Sequence, residues 1–378
     1  MNNMETPVLL LTGYLGSGKT TLLNRILSNE KGIKFAVIVN DIGEVNIDAT
    51  LIQQGGVVGQ KDDSLVALQN GCICCTLKMD LVQQLSDIVS QHRFDYIVIE
   101  ASGICEPAPI AQSISVYPKM YPNLAKDGVA KLDAIVTVVD ALRLRDEFAE
   151  GNDLTKGNLD EDDLASLVIQ QVEFCNMILL NKADEVGPEE LARIKAILHQ
   201  LQPKAEILPC NYGDVDLDKL LNTHLFDFEK VATSARWIEA VEGDEHDLEN
   251  EDEGEALEYG IGTFVYYRRK PIDMNKFDYI VAKKWPKSVI RCKGLCYFKG
   301  EEDTCYVFEQ AGKQVSLRNA GQWYATMPKD ELEEFKKQNP GILRDWDDTY
   351  GDRMQKLVFI GQDMNREEIE KELDYCLE

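Results

Sequence analysis

The sequence predicts an α/β fold built on a mainly parallel sheet, followed by a smaller α+β domain. Up to about residue 221, short apolar runs alternate with helical patterns. Strands that are apolar on both faces, with crossover helices between them, are typical of a parallel sheet covered on both sides. The chain has 378 residues, more than one hydrophobic core usually serves, so we expect two domains.

The elements of the first domain follow each other in a regular order. The predicted strands are residues 8–11, 35–39, 96–99, 134–139 and 177–180. The predicted helices are residues 19–27, 80–89, 163–172 and 189–201. This alternation of strand and helix is the basis for assigning residues 1–228 to one α/β domain.

An acidic segment separates the two predicted domains. Residues 239–258 are rich in Asp and Glu and poor in apolar side chains, which is typical of a solvated linker. We therefore place a linker at residues 229–259 and a C-terminal domain at residues 260–378. This domain is predicted to contain strands at 262–267, 288–291, 295–299 and 305–309, turns at Gly294, Gly300 and Gly312, and helices at 327–338 and 366–377.

A phosphate-binding loop is predicted between the first strand and the first helix. Residues 13–20, GYLGSGKT, match the pattern G-x-x-x-x-G-K-[ST] in that context. Glycines let successive N–H groups point at phosphate oxygens, a solvent-facing Lys19 neutralises the β- and γ-phosphates, and Thr20 binds Mg²⁺. A glycine-rich turn without a ligand is the alternative. The predicted phosphate ligands are Gly13, Gly16, Ser17, Gly18, Lys19, Thr20 and Thr21.

A second loop, N-K-A-D at residues 181–184, indicates which base is bound. It directly follows the strand at 177–180, where the guanine-binding loop of GTPases lies. The Asp184 carboxylate can accept hydrogen bonds from the N1–H and 2-amino groups of guanine, and adenine offers neither donor. Asn181, Lys182 and Asp184 are therefore predicted to bind guanine, with an ordinary polar loop as the alternative.

Two carboxylates and a glycine are expected near the γ-phosphate. Glu100 ends the third predicted strand, so its carboxylate is expected to face Mg²⁺ together with Thr20. Gly103 can turn its N–H toward the γ-phosphate, and Glu44 can approach the metal or the attacking water from the end of the second strand. The alternatives are a strand-end surface position for Glu100 and an ordinary loop carboxylate for Glu44. The predicted catalytic residues are Lys19, Thr20, Glu44 and Glu100, and Gly103 is a predicted nucleotide ligand.

Cys72, Cys74 and Cys75 are predicted to bind a transition metal. In an extended stretch Cys72 and Cys74 share a face, and a turn at Cys75 would add the third thiol. Zn²⁺ accepts thiolates in tetrahedral geometry, and three such ligands leave one open position that suits metal transfer. Cu(I) and Co²⁺ also accept thiolates, so the ligand type leaves the metal open. Buried structural cysteines are the alternative.

The remaining cysteines and one histidine are weaker candidates for metal ligands. Cys105 is either an auxiliary ligand or a packing residue. Cys292, Cys296 and Cys305 form either a second metal site or part of a core. His246, in the acidic segment, either captures cations with neighbouring carboxylates or belongs to a solvated charge run. Packing and solvation are the simpler interpretations.

Composition argues against several classes of partner. The formal net charge of −26 repels phosphate backbones and anionic lipid surfaces, so we expect neither nucleic-acid nor membrane partners. No apolar run approaches the ~20 residues that span a bilayer, and the N-terminus has no basic region typical of a signal peptide. The ten cysteines are too few and too clustered for a disulfide framework. A reducing cytoplasm is the expected location.

Taken together, these motifs resemble the CobW family of metal-related GTPases. The family pattern consists of G-x-L-G-x-G-K-T, N-E-F-G-E, G-C-x-C-C, E-[TS]-[TS]-G-x-x-[DE]-P and N-K-x-D. It appears here, in the same order, at residues 13–20, 40–44, 71–75, 100–107 and 181–184. The C-terminal domain of the family has an R-x-K-G pattern and a later Trp, which look like Arg291, Lys293, Gly294 and Trp323.

The resemblance implies a GTP-hydrolysing metallochaperone. Its ligands would be GTP, Mg²⁺ and Zn²⁺, or another thiophilic metal such as Co²⁺, and it would deliver metal to a metalloprotein client. A homodimer in the GTP state is a further expectation. The alternative is a nucleotide-gated metal buffer or client-holding protein in which hydrolysis is incidental. Asp41, Ile42 and Ala101 depart from the family pattern but leave the predicted GTPase activity intact.

Overall fold

Two separate sheets organise the chain in the computed structural model, one in each of two units. The structure describes residues 5–28, 31–39, 78–148, 159–235, 238, 259–312, 314–343 and 345–377. The predicted acidic segment and His246 lie outside these residues. The predicted domain boundaries, 1–228, 229–259 and 260–378, therefore stay a prediction.

The short apolar runs of the first half form a buried parallel sheet. Its strands are β1 (Glu5–Thr12), β2 (Phe35–Val39), β3 (Tyr96–Glu100), β4 (Val129–Asp140), β5 (Met177–Asn181) and β6 (Glu206–Pro209). Their order is β2-β3-β1-β4-β5-β6, and each pair of neighbours is parallel. The predicted parallel α/β fold is confirmed. Because parallel strands point the same way, the carboxyl ends of β1, β3, β4 and β5 meet at one edge.

Helices connect these strands and bury their apolar sides against the sheet. They are α1 (Lys19–Leu27), α2 (Lys78–Ser90), α3 (Pro107–Met120), α4 (Ala141–Phe148), α5 (Leu159–Glu173), α6 (Pro188–Leu201) and α7 (Phe228–Ala232). On one side of the sheet, Leu22, Leu23 and Ile26 of α1 pack into the same core as strand residues such as Leu9 and Val98. The helix that follows the phosphate loop is thereby fixed to the sheet.

The second unit contains an antiparallel sheet. Its strands are β7 (Ile261–Arg268), β8 (Val289–Cys296), β9 (Thr304–Ala311), β10 (Gln314–Gln322) and β11 (Gln355–Gln362), in the order β10-β9-β8-β11-β7. Its helices are α8 (Met274–Lys283), α9 (Lys329–Gln338) and α10 (Arg366–Asp374). Side chains of α8 and α10 share a core with the sheet. No helix among the described residues is long and apolar enough to cross a bilayer.

The predicted turn at Gly294 is wrong. Gly294 lies inside β8, which replaces the two short strands predicted at 288–291 and 295–299. A Cβ atom at Gly294 would lie 2.0 Å from the carbonyl oxygen of Lys356 on β11. Glycine is therefore needed here for the close approach of the neighbouring strand rather than for a change of direction.

Candidate nucleotide-binding site

The phosphate loop connects β1 to α1 in a conformation that requires glycine. Gly13 and Gly18 have φ values of 133° and 108°, which residues with a side chain rarely adopt. A Cβ atom at Gly13 would lie 2.2 Å from the Val138 carbonyl oxygen, and one at Gly18 would lie 2.3 Å from Asn181 Nδ2. The loop is therefore pressed against β4 on one side and against the end of β5 on the other.

Lys19 lies inside the phosphate loop. Its Nζ donates hydrogen bonds to the carbonyl oxygens of Gly13 at 2.7 Å and Tyr14 at 3.1 Å. The residue is only 7% exposed, so the expectation that Lys19 faces solvent is wrong. The ammonium group is nevertheless held within the loop, where it can neutralise phosphate charge.

Ser17 supplies a buried hydroxyl in the same loop. The residue is fully buried, and its Oγ has no hydrogen-bond partner among the described residues. A buried polar atom without a partner is costly, and a bound phosphate oxygen would satisfy it. The loop therefore fits the phosphates of a nucleoside triphosphate by its shape, its charge and its hydrogen-bonding capacity.

Thr20 and Glu100, the two predicted Mg²⁺ ligands, meet at the edge of the sheet. Thr20 Oγ1 donates a hydrogen bond to Glu100 Oε1 at 2.9 Å. They come together because α1 starts directly after the loop and Glu100 ends β3, which pairs with β1. Glu100 is 1% exposed. A hydroxyl and a carboxylate are oxygen ligands of the kind that Mg²⁺ prefers, so the pair fits this cation.

Gly103 brings the loop after β3 against the phosphate loop. A Cβ atom at this position would lie 2.7 Å from the Leu15 backbone nitrogen. Gln171 of α5 holds the same loop, because its Nε2 donates to the carbonyl oxygens of Gly103 at 3.3 Å and Cys105 at 3.1 Å. Gln171 is a positioning residue that sequence analysis missed, since a glutamine in a helix gives no signal of burial.

Asn181 joins the two nucleotide loops. Its Nδ2 donates a hydrogen bond to the Ser17 carbonyl oxygen at 2.9 Å, and its Oδ1 accepts one from the Gly213 N–H at 3.1 Å. Asn181 is 2% exposed. The amide thus ties the phosphate loop to the base loop and to the loop that follows β6, which fixes the distance between the phosphate and base sites.

Lys182 and Asp184 are held by residues that sequence analysis did not identify. The Lys182 ammonium group forms an ion pair with Asp140, a buried carboxylate at the end of β4. Asn211 Oδ1 accepts a hydrogen bond from the Asp184 backbone N–H at 3.0 Å. Asp140 ends β4 and Asn211 follows β6, so both lie at the same sheet edge and only the folded arrangement reveals them.

An open pocket of about 220 Å³ lies at the meeting point of these loops. Its lining includes Gly16, Gly18, Thr21, Asn181, Lys182, Asp184, Glu185 and Tyr212. The predicted base-binding residues therefore share one cavity with part of the phosphate loop. Glu44, Cys72, Cys74 and Cys75 lie outside the described residues, and their roles stay predictions.

The cysteines of the described part are core residues. Cys105, Cys292, Cys296 and Cys305 are buried, and in the part of the chain that the structure describes none of them forms a disulfide. Burial raises the pKa of the Cys305 thiol to about 12 and that of the Cys292 thiol well above its usual range, which opposes formation of a thiolate ligand. No group of three or more His, Cys, Asp or Glu residues that could hold a metal occurs within the described ranges.

The fold and the site define a P-loop nucleotide-binding protein with a guanine-type base loop. The model of the CobW/HypB/UreG nucleotide-binding domain matches residues 7–209, and the model of the cobalamin synthesis protein cobW C-terminal domain matches residues 261–377. The chain belongs to the CobW/HypB/UreG family, and it is a GTPase.

The chain is similar in sequence to several curated relatives. The chain is 37% identical to the zinc-regulated GTPase metalloprotein activator 1 of Dictyostelium discoideum, over 99% of this chain and 80% of that protein. It is 28% identical to the zinc chaperone YjiA of Escherichia coli, over 96% of each chain. It is 32% identical to the zinc chaperone CobW of Pseudomonas aeruginosa, over 57% of this chain and 60% of that protein.

Proposed function

We propose that the protein is a metallochaperone that couples GTP binding and hydrolysis to delivery of a transition metal to a metalloprotein client. Zinc is the proposed metal. The proposed metal ligands are Cys72, Cys74 and Cys75, and the names of the zinc-related relatives support the choice of metal. A reducing cytoplasm, which keeps thiols available, is part of the proposal.

One observation carries the link between nucleotide and metal. Val39 at the end of β2 pairs with Glu100 at the end of β3. The described part of β2 therefore ends beside Glu100, whose carboxylate accepts a hydrogen bond from Thr20. Residues 40–77, which include Glu44 and the three cysteines, follow it in the sequence. A change at the γ-phosphate side of the site would act directly on the start of this segment.

Hydrolysis would rest on positioning and charge neutralisation. Lys19 and the loop N–H groups would bind the β- and γ-phosphates, and the Gly103 N–H would contact the γ-phosphate. Thr20 and Glu100 would hold Mg²⁺, which neutralises charge on the phosphates. Glu44 is the proposed group for orienting the attacking water, which displaces GDP in line.

A homodimer in the GTP state is also part of the proposal. Leu15 in the phosphate loop and Ile104 in the neighbouring loop are 79% and 62% exposed. Exposed apolar side chains on two touching loops are suited to burial against a partner. A second copy that covers them would also shield the bound γ-phosphate from water.

The first test of this proposal is nucleotide turnover by the full chain. Phosphate release is expected with GTP and not with ATP. The Asp184 carboxylate can only accept hydrogen bonds, and adenine lacks the N1–H and 2-amino donors of guanine. Zinc is expected to change the rate. Lys19→Ala should lower it about 10²- to 10³-fold, the usual loss for one preorganised donor to a transition state. The control is Lys31→Ala, which removes an exposed ion pair with Asp218.

Two outcomes would count against the proposal. Equal turnover of GTP and ATP would contradict the base site. Negligible turnover that zinc does not raise would favour the alternative, a nucleotide-gated metal buffer. Circular dichroism of both lysine variants separates a loss of phosphate binding from a loss of fold.

A further inference from the structure

The loop at residues 210–214, after β6, forms a second wall of the proposed base pocket. Its backbone runs along the base loop, because the Cys210 N–H donates to the Leu180 carbonyl oxygen at 2.9 Å and the Cys210 carbonyl oxygen accepts from the Ala183 N–H at 3.2 Å. No sequence motif covers this loop.

The same loop is also fixed from the phosphate side. Arg25 of α1 donates from Nε to the Tyr212 carbonyl oxygen at 2.7 Å and from Nη1 to Asp214 Oδ1 at 2.9 Å. The Gly213 N–H donates to Asn181 Oδ1. The backbone on both sides of Tyr212 is thus bound to elements that hold the nucleotide loops, so the position of its side chain is preorganised.

Tyr212 itself has two unusual features. Its φ of +52° is disfavoured for a residue with a Cβ atom, and such conformations concentrate at ligand sites. Its side chain is also exposed, with 71% of the residue accessible. It lines the pocket together with Asp184, and it is the aromatic member of the described lining. An exposed ring on a fixed backbone is suited to stack on a planar base.

We propose that Tyr212 stacks on the guanine ring and supplies affinity, whereas Asp184 supplies the choice of base. The hydrocarbon stem of Lys182 would cover the opposite face of the ring, since Lys182 lines the same pocket and Asp140 fixes its ammonium group. This inference rests on the proposed guanine pocket. Every purine presents a flat face, so stacking adds to the affinity for each of them without distinguishing them.

The test compares nucleotides with a ligand that has no base. In Tyr212→Ala, the affinities for GDP and for inosine diphosphate are expected to fall by the same factor, about 5- to 150-fold. The affinity for inorganic tripolyphosphate should not change. Tyr212→Phe, which keeps the ring, is expected to retain most of the affinity. Calorimetric titration of the full chain measures all three ligands.

The control for Tyr212→Ala is a tyrosine that is exposed outside the pocket. Tyr279, exposed on α8, gives the control Tyr279→Ala, which should bind GDP like the wild type. Wild-type affinity for GDP in Tyr212→Ala would overturn the proposal. So would a loss of tripolyphosphate affinity equal to the loss for GDP, because the loop would then act only through structure. If the wild type binds both diphosphates equally but Tyr212→Ala weakens both, the stack is supported and the Asp184 assignment is contradicted.

Discussion

At the scale of single residues, Asp184 is the group expected to choose the base. Its backbone is fixed by Asn211, and its side chain belongs to the pocket lining. Asp184→Asn should weaken GTP binding at least tenfold and create affinity for xanthosine triphosphate. The reason is that an amide can donate to the 2-carbonyl of xanthine but cannot accept both guanine donors. Competition titration with the two triphosphates measures the change.

The control for this substitution is a carboxylate outside the pocket. Glu189 is exposed in the first turn of α6, so Glu189→Gln should leave both affinities at their wild-type values. Unchanged GTP affinity in Asp184→Asn would refute the role of Asp184. Loss of affinity for GTP and xanthosine triphosphate alike would indicate a damaged loop.

Sequence predicts some site residues and misses others for a physical reason. The phosphate and base loops have fixed local spacings, so their residues are recognisable along the chain. Other residues contribute only because segments distant in the sequence meet in the fold. They are Asp140 at the end of β4, Gln171 in α5, and Asn211 and Tyr212 after β6. Their types also occur widely in ordinary loops and helices, so single-sequence reasoning has no signal for them.

At the scale of elements, a buried charge cluster joins β8, β9 and β10 in the second unit. Glu309 accepts hydrogen bonds from Arg291 Nη2 and Arg318 Nη2, each at 2.7 Å, and Lys293 Nζ lies at 3.5 Å. Arg291 is fully buried. Burial alone would raise the pKa of Glu309, but attraction to the three cations outweighs it and lowers the pKa to about 2.

This lowered pKa predicts an acid dependence of stability. Folding favours the charged carboxylate, so the contribution of Glu309 is complete above its unfolded pKa of 4.5 and is lost as the pH falls toward 2. Glu309→Gln should destabilise the second unit at pH 7 by about 3–5 kcal/mol, because Arg291 loses its buried partner. It should also flatten the loss of stability between pH 4.5 and 2. Denaturant unfolding across this range measures both effects.

The control for Glu309 is an exposed carboxylate of the same unit. Glu333 Oε1 on α9 lies 3.8 Å from Lys336 Nζ, and the Glu333 side chain is 68% exposed. Glu333→Gln should therefore change stability little. An acid dependence in Glu309→Gln as steep as in the wild type would show that other carboxylates cause it.

The elements themselves show where sequence patterns fail. Strands β2, β3 and β5 are buried along their whole length, and such apolar runs are easy to recognise. β10 is almost entirely exposed and has no alternating pattern, so it is not predicted. α3 contains prolines, including Pro118 inside the helix, which argue against a helix until tertiary packing overrides them. Gly294 is required by the close approach of β11, but in the sequence such a glycine is indistinguishable from one that marks a turn.

At the scale of the whole molecule, the order of the strands connects the nucleotide site to the proposed metal site. β1 carries the phosphate loop and lies beside β3, which ends in Glu100, and β3 lies beside β2. The chain that leaves β2 contains Glu44 and the three cysteines and returns through α2 to β3. The end of β2, from which this stretch of sequence continues, pairs with Glu100, so the stretch is suited to respond to the nucleotide.

This arrangement implies that nucleotide binding and zinc binding are coupled. GTP with Mg²⁺ should bring Cys72, Cys74 and Cys75 into ligand geometry, and GDP should let them separate. Coupling of the usual size would make zinc bind about 5- to 150-fold more tightly in the GTP state, and zinc must then favour GTP over GDP by the same factor. Competition with a chromophoric chelator, in a non-hydrolysable GTP analogue and in GDP, measures this for the wild type and for a variant with all three cysteines changed to Ser. Equal zinc affinities in both nucleotide states would mean an uncoupled site, and unchanged affinity in the variant would exclude these cysteines as the ligands.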